Sequence, residues 1–217
     1  MITSWSLFLM STMLLFSTLM LIQTHISTLI NTLILQNILL ALYLLTKAIL
    51  TPDLALLISS SITIFVKVLV LPFLLWKLTR FLQLSGRIEP IVNKPTVLIL
   101  AIILILFALM LGYKTALAVN SNALASFALG IANAFVATLL ITVRRKTISQ
   151  VIGLLVLENS IFLLAAALST GFPWLIELGM SFDVLMGFMI FTLFLMRIRQ
   201  MHGSLQTHHL EHLKERI

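Results

Sequence analysis

Residues 54–77 read LALLISSSITIFVKVLVLPFLLWK, an apolar run broken by one interior charge, Lys67. A helix of that length rises about 36 Å at 1.5 Å per residue, enough to cross the roughly 30 Å hydrocarbon core of a bilayer. Working outward, similar runs fill the chain, at about 5–22, 26–47, 54–77, 96–112, 122–143, 148–169 and 174–197. The breaks between them are turn chemistry: Thr51-Pro52-Asp53, Gly171-Phe172-Pro173, and a longer connection from Ser85 to Pro95 holding Gly86, Pro90 and Asn93. The expected fold is all-α, a polytopic membrane bundle of about seven transmembrane helices. The connection ending at Pro95 divides it into a three-helix extension over 1–95 and a four-helix segment over 96–217 that closes in a polar tail.

Composition agrees. The 217 residues are 60% hydrophobic and 10% charged, more apolar surface than a water-soluble domain of this size buries. The formal charge of +7 does not read as a nucleic-acid footprint, because the cations sit in short connections and at the C-terminus. In a seven-span reading, Lys77, Arg80, Arg87, Lys94, Arg144, Arg145, Lys146, Arg197, Arg199, Lys214 and Arg216 fall on one side, and only Lys47 and Lys114 on the other. The positive-inside rule then places the N-terminus outside and the C-terminus in the cytoplasm. The N-terminal segment Met1-Ile2-Thr3-Ser4-Trp5 lacks a positive signal region, so the first run is expected to remain as a membrane helix. With no cysteine, thiolate-held metals, iron–sulfur clusters and disulfides are excluded; no cofactor is expected, and electron transfer belongs to another subunit.

Lys67, Glu158 and Asp183 each lie near the middle of an apolar run. A charge near the bilayer centre costs from about 2.5 to over 10 kcal/mol unless it is paired or hydrated, so such residues mark ion paths or interhelical pairs. Glu158 is about ten residues into its span, too deep for its short side chain to reach either interface. Asp183 has Gly179 and Gly187 one turn away on either side, a small-residue face that lets another backbone approach. Lys67 is followed by Pro72, whose missing N–H frees a carbonyl in the preceding turn. All three are read as candidate proton-relay residues, against the alternative of static pairs that hold helices in register.

Gln36, Asn37 and Asn159 are candidate polar supports, and Glu177, nearer the outer boundary, is a weaker candidate for the path. Residues 35–42, LQNILLAL, resemble residues 157–164, LENSIFLL, which makes Gln36 the neutral counterpart of Glu158 in a possible parallel repeat. His208, His209 and His212 lie in the polar tail and read as solvated residues, not metal ligands. No phosphate loop or nucleophile–base signature is present in the sequence.

The order Arg144-Arg145-Lys146, Gly153, Glu158-Asn159 and a small-residue helix, followed by Asp183, Gly187 and the basic stop at Arg197 and Arg199, resembles the K subunit of NADH-quinone oxidoreductase (complex I) over about 122–205. The full length is similar to hydrogenase-4 component E, a membrane subunit of formate hydrogenlyase-type complexes, on residues 65–72 (FVKVLVLP), Leu157-Glu158-Asn159 and Met201-His202-Gly203-Ser204-Leu205. The resemblance implies an accessory subunit with no catalytic site of its own, in a bacterial or archaeal inner membrane. It implies a lateral proton path through Glu158 and Asp183, running between a quinone-oxidoreductase-like core and antiporter-like subunits. Membrane lipids would be its other neighbours, and nucleic acid would not. A component of a multisubunit sodium/proton antiporter is the other assembly consistent with these residues.

Overall fold

A computed structural model describes residues 2–50, 54–81, 92–119 and 124–168, together with Leu178, Gly179, Phe182, Met186, Gly187, Met189, Thr192 and Arg197. Its elements are helices: α1 (Ile2–Ile22), α2 (Ile26–Leu50), α3 (Leu54–Ile62), a π-helical segment (Thr63–Val70), α4 (Leu71–Phe81), α5 (Lys94–Val119), α6 (Leu124–Val143) and α7 (Thr147–Leu168). Because α3, the π segment and α4 are continuous, they make one crossing, and six helices among the described residues are long and apolar enough to span a bilayer. The expected seventh span, 174–197, lies outside the described residues except at those eight isolated positions, which are helical.

Turns of a few residues force α1 and α2, and likewise α6 and α7, to run antiparallel. One buried cluster joins Met20 and Leu21 of α1, Ile26 to Leu33 of α2, Leu78 of α4, Val97 of α5, Val143 of α6 and Ile148 of α7, so these ends share one face of the bundle, here the second face. A separate cluster of Leu9, Met10, Met13, Leu40, Tyr43, Leu44, Phe162, Leu163 and Ala166 lies toward the first face, where α1 begins and α2 and α7 end. In section α1, α2, α7 and α6 form a ring, each touching the next; α5 packs on α6 and α1, and the crossing of α3 and α4 packs on α2. The helices α2 and α7 therefore run side by side in the same direction.

Burial here is set by shape as much as by hydrophobicity, since nearly every residue is apolar. Small residues decide the closest approaches: a side chain on Gly112 would strike Ala128, one on Gly130 would lie 2.6 Å from Leu164 Cδ2, and one on Gly153 would lie 2.8 Å from Ile141 Cγ1 and 3.2 Å from its backbone nitrogen. The outward surface is greasy, with Ile99 59% and Leu106 61% exposed on α5 and Phe65 64% exposed beside Lys67. Side chains left in contact with hydrocarbon lose nothing by exposure, and these are the features of an integral membrane protein. Lys77, Arg80, Lys94 and Arg145 are exposed at the second face, in keeping with the one-sided distribution of cations read from the sequence.

Candidate functional site

Between the two apolar clusters lies a layer of buried polar side chains. Ser17, Gln36, Asn37, Thr63, Lys67, Asn133, Glu158, Asn159 and Ser160 are all at most 7% exposed. They come from α1, α2, the π segment, α6 and α7.

At its centre Lys67 Nζ lies 3.0 Å from Glu158 Oε1, with side-chain exposures of 1% and 7%. The same ammonium stands 5.4 Å from the centroid of the Phe162 ring, one turn beyond Glu158 on α7, within the range of a cation–π contact. The two charges whose cost singled them out in the sequence thus neutralise each other across the gap between the third crossing and α7.

The backbone around Lys67 follows from Pro72. Within an α-helix the proline ring would clash with the carbonyl of Val68, four residues back. A π turn is wider, and the Leu71 N–H donates to the Val66 carbonyl, five residues back. Continued by one residue, that register would have residue 72 donate to the Lys67 carbonyl, but proline carries no N–H. The donor comes instead from α2, where Asn37 Nδ2 donates to the Lys67 carbonyl at 2.6 Å. Asn37 is itself held from α7, its Oδ1 accepting from Asn159 Nδ2 at 2.6 Å. The two asparagines matched by the repeat in the sequence meet directly, fixing α2 and α7 in register at this depth.

Gln36 faces the other way. Its Nε2 donates to Ser17 Oγ of α1 at 2.8 Å, and the Ser17 hydroxyl contacts Asn133 Oδ1 of α6. The layer thus has a charged part among α2, the π segment and α7, and an uncharged part among α1, α2 and α6. Two further cations close helix ends. Arg144 is fully buried and donates to the carbonyls of Met20 and Leu21 at the end of α1. Lys47 Nζ donates to the Ala166 carbonyl near the end of α7 at 2.7 Å. Both place positive charge where unpaired carbonyls gather, at the negative end of a helix dipole. Desolvation lowers the affinity of the Arg144 guanidinium for its proton, yet arginine remains charged in proteins.

Of the residues singled out in the sequence, Lys67, Glu158, Asn37 and Asn159 are brought together, while Gln36 joins Ser17. Gly153 packs closely on α6, whereas a side chain added at Gly179 or Gly187 would meet no described neighbour within 4 Å. Asp183, Glu177, His208, His209 and His212 lie outside the described residues. Among the described residues no group of His, Asp and Glu side chains is placed to hold a metal. Sequence reasoning missed Ser17, Asn133, Phe162 and the capping roles of Lys47 and Arg144. Asn133 carried a legible signal, an amide in mid-span; Ser17 did not, because a serine in a membrane helix can satisfy itself on the preceding turn, here at Met13.

None of the protein-family models matches the chain, and no solved structure matches it. Over 80 residues the chain is 32% identical to "Uncharacterized protein Rv0085" of Mycobacterium tuberculosis, an alignment covering 37% of this chain and 36% of that protein. The chain thus spans little more than a third of the length of the relative it matches.

Proposed function

We propose that this chain is a non-redox membrane subunit of a proton-translocating oxidoreductase complex of the group 4 hydrogenase or formate hydrogenlyase kind. In this reading the Lys67–Glu158 pair is a protonatable station on a lateral path between the redox core and antiporter-like subunits. The observation that carries the reading is the pair itself, a 3.0 Å contact between two ionisable groups in a mid-depth layer with apolar clusters toward both faces.

As an ion pair the site is neutral overall. In a relay, a proton taken up at the pair leaves again from one of its two ionisable groups, which restores the neutral pair. Hops need carriers about 3 Å apart or joined by water, and the Asn37 amide, held by Asn159, fixes the backbone that carries Lys67. Asp183, on a seventh span over 174–197, is the second acid of the path in this proposal, with Glu177 toward the outer boundary. The N-terminus is outside and the C-terminus cytoplasmic, in a bacterial or archaeal inner membrane. The sequence resemblance to hydrogenase-4 component E supports the assignment to that class of complex.

A second reading is favoured by the Asn159–Asn37–Lys67 chain of hydrogen bonds, which ties α2, α7 and the π segment together as a static lock would. Replacing Glu158 by Gln separates the two. A relay predicts a complex that assembles normally, judged by co-purification of its membrane subunits, with proton pumping in inverted vesicles reduced at least tenfold. Undiminished pumping in that variant rules out Glu158 as a carrier.

A further inference from the structure

The inward face of the third crossing is chemically divided at Lys67. Toward the first face, where α3 begins, Ser59 and Thr63 precede Lys67 at steps of four residues, so the three lie along one helix face, exposed by 0%, 0% and 1%. Toward the second face that stripe continues as Leu71, Leu75 and Leu78, exposed by 1%, 0% and 3%. Hydroxyls thus lead up to the ammonium from one side of the membrane and leucines close it from the other.

The leucine half belongs to the larger apolar cluster, where Leu33 of α2 and Ile152 and Leu155 of α7 complete the seal. In the hydroxyl half, Thr63 Oγ1 donates to the Ser59 carbonyl at 2.9 Å and Ser60 Oγ donates to the Leu57 carbonyl at 2.9 Å. The Ser59 hydroxyl, fully buried, has no hydrogen-bond partner among the described residues. A buried hydroxyl without a partner in so apolar a setting costs about 1–3 kcal/mol, which a water molecule relieves.

We propose that the Ser59–Thr63 stripe lines a hydrated half-channel through which the Lys67–Glu158 pair exchanges protons with the face at which α3 begins, the leucines barring access from the opposite face. The ligand of this site is water, and the excess proton moves along it. The proposal rests on the pair being the exchanging group, and it adds a direction: protons enter or leave on one side only, and travel between subunits within the layer.

The absence of native cysteine makes the test direct. Single variants Ser59→Cys, Thr63→Cys, Leu71→Cys and Leu75→Cys of the full chain are reconstituted in sealed vesicles. A small membrane-impermeant methanethiosulfonate is applied to each side separately and modification is read by mass. Lys114→Cys and Lys94→Cys, both exposed positions, report the first and second faces. The half-channel predicts that Ser59→Cys and Thr63→Cys react at least tenfold faster than the two leucine positions, and only from the side that modifies Lys114→Cys. Equal rates at all four positions, reaction from the other side, or silence at Ser59→Cys and Thr63→Cys while the controls react would overturn it. If a thiol disturbs folding, amide deuterium exchange of the native chain over residues 57–63 against 71–78 makes the same comparison. Labelling reports water entry whether or not Glu158 carries protons. A silent stripe therefore removes the half-channel and leaves the relay standing, and normal labelling with undiminished pumping in Glu158→Gln does the reverse.

Discussion

Lys67 and Glu158 form a buried ion pair. Removing one member of a buried pair strands the remaining charge, at a loss of roughly 3–5 kcal/mol, whereas replacing both by apolar residues of similar size is close to neutral. Lys67→Met and Glu158→Leu are thus each expected to lower the unfolding free energy in detergent by that amount, and the double variant to recover most of it; a double-variant loss equal to the sum of the two single losses would mean the charges are not coupled. Each charge was legible in the sequence because its cost made it conspicuous in an apolar run. Their contact was not legible, because sequence spacing on one helix says nothing of the distance to another. Phe162 escaped notice for the opposite reason: an aromatic ring in a membrane span carries no cost, and only its place one turn beyond Glu158, over the ammonium, gives it a role.

At the level of the element, the π segment is what Pro72 makes of a membrane helix when a neighbour supplies the missing donor. Asn37→Leu removes the side-chain donor to the Lys67 carbonyl and is expected to cost about 1–3 kcal/mol. Pro72→Ala restores an N–H at the position that would serve that carbonyl, so in its background the same Asn37→Leu change is expected to cost less than half as much. A double-mutant cycle measures the difference, and additive losses would disprove the link. The sequence supplied the ingredients, since Pro72 frees a carbonyl wherever it sits in a helix, but Asn37 as the answering donor is a fact of packing. Helix boundaries were legible to within several residues, as with 26–47 expected and Ile26–Leu50 found, because hydrophobic length and turn residues set them locally. The breadth of the polar layer was less so: Gln36 and Asn37 were visible as amides, but Ser17 and Asn133 acquire meaning only once α1 and α6 are seen to meet. Where the backbones come closest, Gly153→Val is expected to force α7 off the Ile141 backbone and destabilise the bundle by about 1–3 kcal/mol, as thermal unfolding would report. Gly187→Ala meets no described neighbour and is expected to leave the isolated chain's midpoint unchanged.

For the molecule as a whole, two apolar layers enclose a polar one, and the interactions that close this arrangement join parts of the chain made far apart in time. Arg144 caps α1 from 123 residues away in sequence, and Lys67 waits for an acid on α7. During synthesis the first three crossings therefore emerge with the end of α1 uncapped and an ammonium alone in its span. A lone lysine at mid-depth opposes insertion by roughly 2.5–3.5 kcal/mol on the scale of the insertion machinery. Chains stopped before α7 are accordingly expected to leave the third crossing partly uninserted, scored by glycosylation mapping, with Lys67→Leu restoring it and the full-length chain needing no such help. On that expectation the buried pair makes one step of membrane integration late: the third crossing settles fully in the bilayer once α7 arrives to neutralise it.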